Sequence, residues 1–253
     1  MSKPPQLPGV PEARQDPRLR RFPLRRLRVP IGAGQTSLVV PDEQVWRRQG
    51  TWTADVTRGK EPPYWIRIWP AALAVARTLM RLRGLGGYRV LDLGCGLGLP
   101  GVVAAGAGAR VTFADLEPDA LAFAAWNARQ QPGCVHDPVP RLVDWSRDVV
   151  DGLFDLILLS DVSYHGKHHA PLRRHLAAAL GQGGAALHAD PHRELSDEFL
   201  GSLSSTHTTA HTTKRTTIQD RCADVRLTWI AADPAALGSW LDAAQIRHTN
   251  GFS

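Results

Sequence analysis

The stretch Tyr88 to Gly101, YRVLDLGCGLGLPG, constrains the fold of this chain more than any other. Val90, Leu91 and Leu93 suit a strand, Tyr88 to Leu93, that is buried on both faces, as the central strands of a parallel sheet are. Gly94, Gly96 and Gly98 then remove every side chain where the backbone has to turn sharply and approach a ligand closely. A tight strand-to-helix turn with no ligand needs only one glycine. Gly96, Gly98 and Gly101 also satisfy the G-x-G-x-x-G spacing of dinucleotide-binding folds, which has little specificity by itself.

The residue ahead of the glycines separates the two readings. Asp92 lies two positions before Gly94, giving D-x-G-x-G-x-G. A carboxylate there can hold a ligand's ammonium group or orient the loop, and it serves a pyrophosphate poorly. In this form the loop resembles the first motif of class I S-adenosylmethionine (SAM)-dependent methyltransferases, whose cofactor carries an amino group and a sulfonium.

With 253 residues, 43% of them hydrophobic and 21% charged, the chain has enough material for one large α/β domain with a full core. Cys95, Cys134 and Cys222 form no C-x-x-C pair, so neither a zinc cage nor a disulfide framework is indicated, and a cytoplasmic location is the expectation. No apolar run approaches the roughly 18 residues that span a bilayer, and the N-terminus lacks an apolar signal core. The net charge of +6 raises the question of a nucleic-acid partner. Much of the excess sits in Arg14, Arg18, Arg20, Arg21, Arg25, Arg26 and Arg28, without an interleaved aromatic platform beyond Phe22, and reads as a solvated arm. Residues 1–23, rich in proline and charge, are expected to be a disordered basic leader, and residues 24–253 a single domain.

In chain order, Leu24 to Val40 reads as a small β-hairpin around Gly32-Ala33-Gly34, placed at an edge or mouth of the main sheet. Pro70 opens a helix through about Leu82. Just before it stand Trp65, read equally as core or lid packing and as a ligand contact, and Trp69, whose indole face can sit against a sulfonium. Ala109 to Asp115 is the second strand of the sheet, ending in an acid placed to accept from ribose hydroxyls or to cap the next helix. Pro140 to Asp144 is a third strand, ending in Asp144-Trp145, a carboxylate and an indole suited to an adenine. Phe154 to Ser160, the most apolar strand, runs into Asp161-Val162-Ser163-Tyr164, where open α/β sheets place chemistry. His165, His168 and His169 are too crowded in one loop to suggest a metal site. Gly183 to Asp190 continues the sheet, and Thr206 to Ile218 with Val225 to Ala231 reads as a closing antiparallel hairpin. A terminal helix spans Ala235 to Ile246.

The expected fold class is therefore α/β, a Rossmann-like seven-stranded, mostly parallel sheet with helices on both faces. Within it, YWIRIWPAALAVARTL, VLDLGCGLGLPGVVAA, VTFADLEPDAL, Asp144-Trp145, SDVSY and ADPHR resemble the protein-lysine methyltransferases and nicotinamide N-methylase-like proteins, which include relatives of the electron transfer flavoprotein β-subunit lysine methyltransferase. The resemblance implies SAM as cofactor, lined by Trp69, Asp92, Gly94, Cys95, Gly96, Gly98, Asp115, Leu116, Asp144, Trp145 and Ser160, with Asp161 and Tyr164 facing the acceptor. It implies a protein or small-molecule methyl acceptor, with N-methylation of a protein lysine first and a small-molecule N- or O-methyltransferase or a catalytically silent SAM-binding protein as alternatives. Neither nucleic acid nor membrane is expected as a partner. His192, the arginine-rich leader and the tail beyond Ala232 depart from the family pattern.

Overall fold

The computed structural model describes residues 10–48, 62–82 and 84–245. Its main sheet has seven strands: β3 (Arg89–Leu93), β4 (Arg110–Asp115), β5 (Val139–Leu142), β6 (Phe154–Ser160), β7 (Leu180–Asp190), β8 (Thr208–Ile218) and β9 (Arg221–Ala231). They lie in the order β5-β4-β3-β6-β7-β9-β8. The first five run parallel, and β9 is antiparallel to both of its neighbours. The expected fold class is the observed one.

Strand alternation sorts the core into two layers. Val90, Leu156, Leu158 and Leu187 face the helices Pro70–Leu79, Leu99–Gly106, Pro118–Arg129 and Pro234–Ala243. Leu91, Leu93, Ile157 and Leu159 face Leu172, Leu176 and Phe199 of the helices His169–Ala179 and Glu194–Gly201. Because successive side chains leave opposite faces of a strand, a strand that serves both layers needs apolar residues on both faces. β6 has them in the continuous run Leu156–Leu159, and β3 has Val90 on one face and Leu91 and Leu93 on the other, with buried Asp92 between them. Strand order reverses between β3 and β6, so loops at their carboxyl ends diverge and leave a crevice.

Three expectations are corrected. The hairpin β1 (Leu24–Ile31) and β2 (Gly34–Pro41) forms a sheet of its own that packs on the helices Pro70–Leu79 and Pro118–Arg129, not on an edge of the main sheet. Its anchor is Asn127, whose amide accepts from Val39 N–H at 2.7 Å and donates to Val39 O at 2.9 Å. Residues 10–23, expected to be part of a disordered leader, form two 3-10 turns that bury Val10, Ala13, Leu19 and Phe22. Apolar residues spaced among the arginines suffice to tie this segment down; residues 1–9 lie outside the described residues. Finally, β5 ends at Leu142, so Asp144 and Trp145 belong to the loop after it rather than to the strand.

Candidate active site

The glycine loop is held from below by the neighbouring strand. Gly94 N–H and Cys95 N–H both donate to Ala114 O, at 2.8 and 3.2 Å. Gly96 N–H donates to Asp115 Oδ2 at 2.8 Å, and Asp115 Oδ1 accepts from Glu117 N–H at 3.0 Å. Burial pushes the Asp115 carboxyl up, and these backbone donors pull it back. Gly94, Gly96 and Gly98 all have positive φ, at 70°, 52° and 73°. At Gly94 a side chain is also excluded by space, since a Cβ would lie 2.7 Å from the Trp145 ring and 2.8 Å from Val162. Trp145 therefore lies directly on the loop, as one wall of the crevice. Gly98 caps the helix Leu99–Gly106, which brings that helix's N-terminus to the loop.

Asp92 takes the loop-orienting one of its two expected roles. It is buried, and its Oδ2 accepts from Gly101 N–H at 2.9 Å, which ties the strand to the helix behind the loop. Burial pushes its carboxyl up to about 7, against the opposing Gly101 hydrogen bond. Cys95 is likewise buried, its thiol pushed up by burial and by the Asp115 and Asp92 carboxylates. Leu116 is 61% exposed at the end of β4, and Leu142, paired one residue back with Asp115, is 64% exposed; together they form an apolar shoulder beside the loop. Asp144 is engaged within its own loop. Its Oδ1 accepts from Ser146 N–H and Oγ at 3.0 and 2.6 Å, which holds its carboxyl below the usual range.

The second half of the crevice comes from β6. Ser160 Oγ is buried without a hydrogen-bond partner. Asp161 follows with φ 56°, its N–H fixed to Ala189 O at 2.8 Å. Buried Ser163 joins its Oγ to His188 Nε2 at 2.8 Å and to Ser196 Oγ at 2.7 Å, anchoring the turn from beneath. Tyr164 then emerges among Tyr64, His165 and His168, with ring centroids at 6.5, 4.7 and 5.5 Å. Trp69 is half-buried across from it and donates Nε1–H to Tyr64 O at 3.1 Å. Trp65, by contrast, is packed against Phe22 and Phe123, which is the packing alternative for that residue. His168 packs edge-on to Trp145, and buried His169 bonds to Ser163 O, so these histidines shape the wall of the site.

Asp161 is not open to an incoming group as the sequence suggested. Arg193 donates to both of its oxygens, from Nε at 2.8 Å and Nη2 at 3.0 Å, and lies 5.9 Å from the Tyr164 ring centroid. Arg193, Tyr64 and Ser163 are the participants that sequence reasoning missed. In the sequence the arginine stands out only as part of ADPHR, one of the segments that carry the family resemblance.

Two groupings therefore stand side by side at the carboxyl ends of adjacent strands: a glycine loop with Asp115 and Trp145, and a carboxylate with a phenol. A family model described as lysine methyltransferase matches residues 64–206, more than half of the chain. The chain is 36% identical over 110 residues to the protein N-lysine methyltransferase METTL21A of Danio rerio, covering 38% of this chain and 47% of that protein. It is 36% identical over 105 residues to the electron transfer flavoprotein beta subunit lysine methyltransferase of Danio rerio, covering 40% and 39%. It is also 36% identical over 110 residues to the histone-arginine methyltransferase METTL23 of Xenopus laevis, covering 41% and 47%. The chain thus spans less than half the length of each of these relatives. From Tyr64 to Thr206, a stretch that holds every candidate site residue, the chain matches the family model, and it belongs to the lysine methyltransferase family.

Proposed function

We propose that the protein transfers a methyl group from SAM to the side-chain nitrogen of a protein lysine. The observation that carries this reading is the pairing of β3 with β6: it sets the glycine loop and the Asp161–Tyr164 turn at neighbouring strand ends, as donor and acceptor sites must be. Family membership supports the chemistry, and the two lysine methyltransferase relatives support the acceptor.

The crevice fits SAM on three counts. At Gly96 a Cβ would meet nothing nearer than Trp65 backbone at 3.5 Å, so the loop backbone can be approached there; Ser160 Oγ is a buried hydroxyl in want of a partner, and Leu116 with Leu142 offers apolar surface for an adenine. Asp115 would hold the ribose hydroxyls, its carboxylate having acceptor capacity beyond the backbone donors it already serves. Trp145 and Trp69 would wall the cofactor from either flank. When bound, SAM supplies an electrophilic methyl on a sulfonium. The chain's own part is alignment and proton handling. Asp161 would accept the N–H of the acceptor nitrogen, which must be neutral to attack, and Tyr164 would bound its approach. METTL23 favours a second acceptor, an arginine guanidinium.

Calorimetric titration with SAM, S-adenosylhomocysteine and NADH tests the reading. The two adenosyl ligands are expected to bind, NADH is not, and Gly96→Arg, with a long side chain on the loop, should abolish binding without unfolding the protein. Tritiated-methyl transfer to lysate proteins and to small metabolites then separates protein from small-molecule acceptors. Folded protein that binds neither adenosyl ligand would overturn the proposal.

A further inference from the structure

We infer that the Arg193 guanidinium is a resident occupant of the acceptor position, so that the methyl acceptor enters the Asp161–Tyr164 site as a cation by displacing a cation of the protein's own chain. The inference rests on the acceptor role proposed for Asp161 and deepens it, because it makes a cationic side chain the substrate class and Arg193 its competitor.

The geometry is that of a bound ligand supplied in cis. Arg193 forks onto both oxygens of Asp161 with Nε and Nη2, and its planar group stands against the Tyr164 ring. A carboxylate below and an aromatic face beside is how an ammonium or guanidinium is received. The Asp161 side chain is only 9% exposed with Arg193 in place, so an acceptor nitrogen cannot reach its oxygens until the guanidinium leaves.

What moves is confined to that guanidinium. Asp161 is fixed by its N–H bond to Ala189 O, and the Arg193 backbone is fixed by its own N–H bond to Asp190 Oδ1 at 3.0 Å. Asp190 is gripped in turn by Arg226, with Nε and Nη2 each at 3.1 Å from its oxygens, and Arg226 also pairs with Asp197. The Arg193 side chain is 42% exposed, so it has solvent to swing into, and a partly exposed ion pair is weak enough for a second cation to replace. A neutral acceptor gains nothing from the exchange, since it would leave a carboxylate stripped of its counter-charge. The pair thus selects for charge on entry while keeping Asp161 satisfied between turnovers; the admitted cation still has to release one proton to solvent before its nitrogen has a lone pair for the methyl.

The test uses n-butylammonium as a lysine-like probe and n-butanol as its neutral counterpart, at matched ionic strength, with 15N-labelled protein. In the wild type the Arg193 Nε–H resonance should stand apart as a carboxylate-bound one and move to the solvent-exposed position as n-butylammonium is added; n-butanol should leave it in place. Backbone amides of Val162 and Tyr164 report binding in the variants. Arg193→Gln should bind n-butylammonium about fivefold more tightly than wild type, the factor expected for removing a partly exposed competitor, and Asp161→Asn should not bind it. Equal or weaker affinity in Arg193→Gln would make Arg193 a residue that merely positions Asp161 and would overturn the inference, as would equal responses to the amine and the alcohol, or none to the amine. S-adenosylhomocysteine titrated into the same samples keeps the two proposals apart: displacement of Arg193 without adenosyl binding would leave the cation site standing and remove the methyltransferase reading, and adenosyl binding without displacement would do the reverse.

Discussion

Asp92 shows how much one residue behind the loop can weigh. Its carboxyl titrates near 4 in the unfolded chain and near 7 in the folded protein, because burial disfavours the charge. Between those values the folded state holds a proton the unfolded state has lost. The group's contribution is therefore fully present below about pH 4, declines as pH rises, and levels off above about 7. Asp92→Asn keeps an acceptor for Gly101 N–H and removes the titration. Urea unfolding at a series of pH values should show the variant gaining on wild type between pH 4 and 7, by on the order of 2–4 kcal/mol; a pH-independent difference would mean the carboxyl is not desolvated. Gly101 illustrates a different residue-level constraint. A Cβ there would lie 2.3 Å from the Phe113 ring and 2.9 Å from Asp92 Oδ2, so Gly101→Ala should destabilise by roughly 1–3 kcal/mol through overpacking. Its place in the G-x-G-x-x-G spacing reflects close helix-to-strand packing.

At the scale of elements, the β1–β2 hairpin is joined to the helix Pro118–Arg129 through Asn127, a buried side chain that serves one backbone N–H and one backbone C=O of Val39. Asn127→Leu would leave both groups buried and unpaired, at about 1–3 kcal/mol each. Faster hydrogen exchange at Val39 and its β2 neighbours, with β3 amides unaffected, is the expected signature. Exchange that rises equally in both elements would show that the hairpin is not an independently released unit. The turn after β6 depends in the same way on Ser163, which bonds to His188 from β7 and to Ser196 from the following helix. Asp161 and Tyr164 owe their placement to that buried contact as much as to the strand itself.

At the scale of the whole molecule, the segment 10–23 acts as a strap. Phe22 stacks edge-on against Trp46, Trp65 and Phe123, at 5.3, 5.8 and 5.5 Å, and Trp65 backbone atoms lie nearest to the Cβ position of Gly96, at 3.5 and 3.7 Å. The strap is thus one packing layer from the glycine loop. Phe22→Ala should cost about 3–5 kcal/mol and red-shift tryptophan emission as Trp46 and Trp65 become wetter. An unchanged emission maximum and melting temperature would restore the segment to the loose leader that its composition suggests.

What the sequence determined by itself is the material governed by short-range rules. The strand–glycine–helix unit follows from an apolar run and three glycines within five residues, and the alternation of strands and helices, the closing hairpin and the chain positions of Asp115, Asp161 and Tyr164 follow from periodicity and punctuation. The leader misled because its arginines and prolines outnumber the few apolar residues that bury. What only the tertiary structure decided is which side chains meet. Arg193 reaches Asp161 across 32 residues, Asn127 reaches Val39 across 88, and Tyr64 reaches Tyr164 from the far side of the crevice. Such partners are set by strand register and by the angles at which helices settle on the sheet. A one-residue change in register would leave the local pattern almost as good and send every side chain to the opposite face.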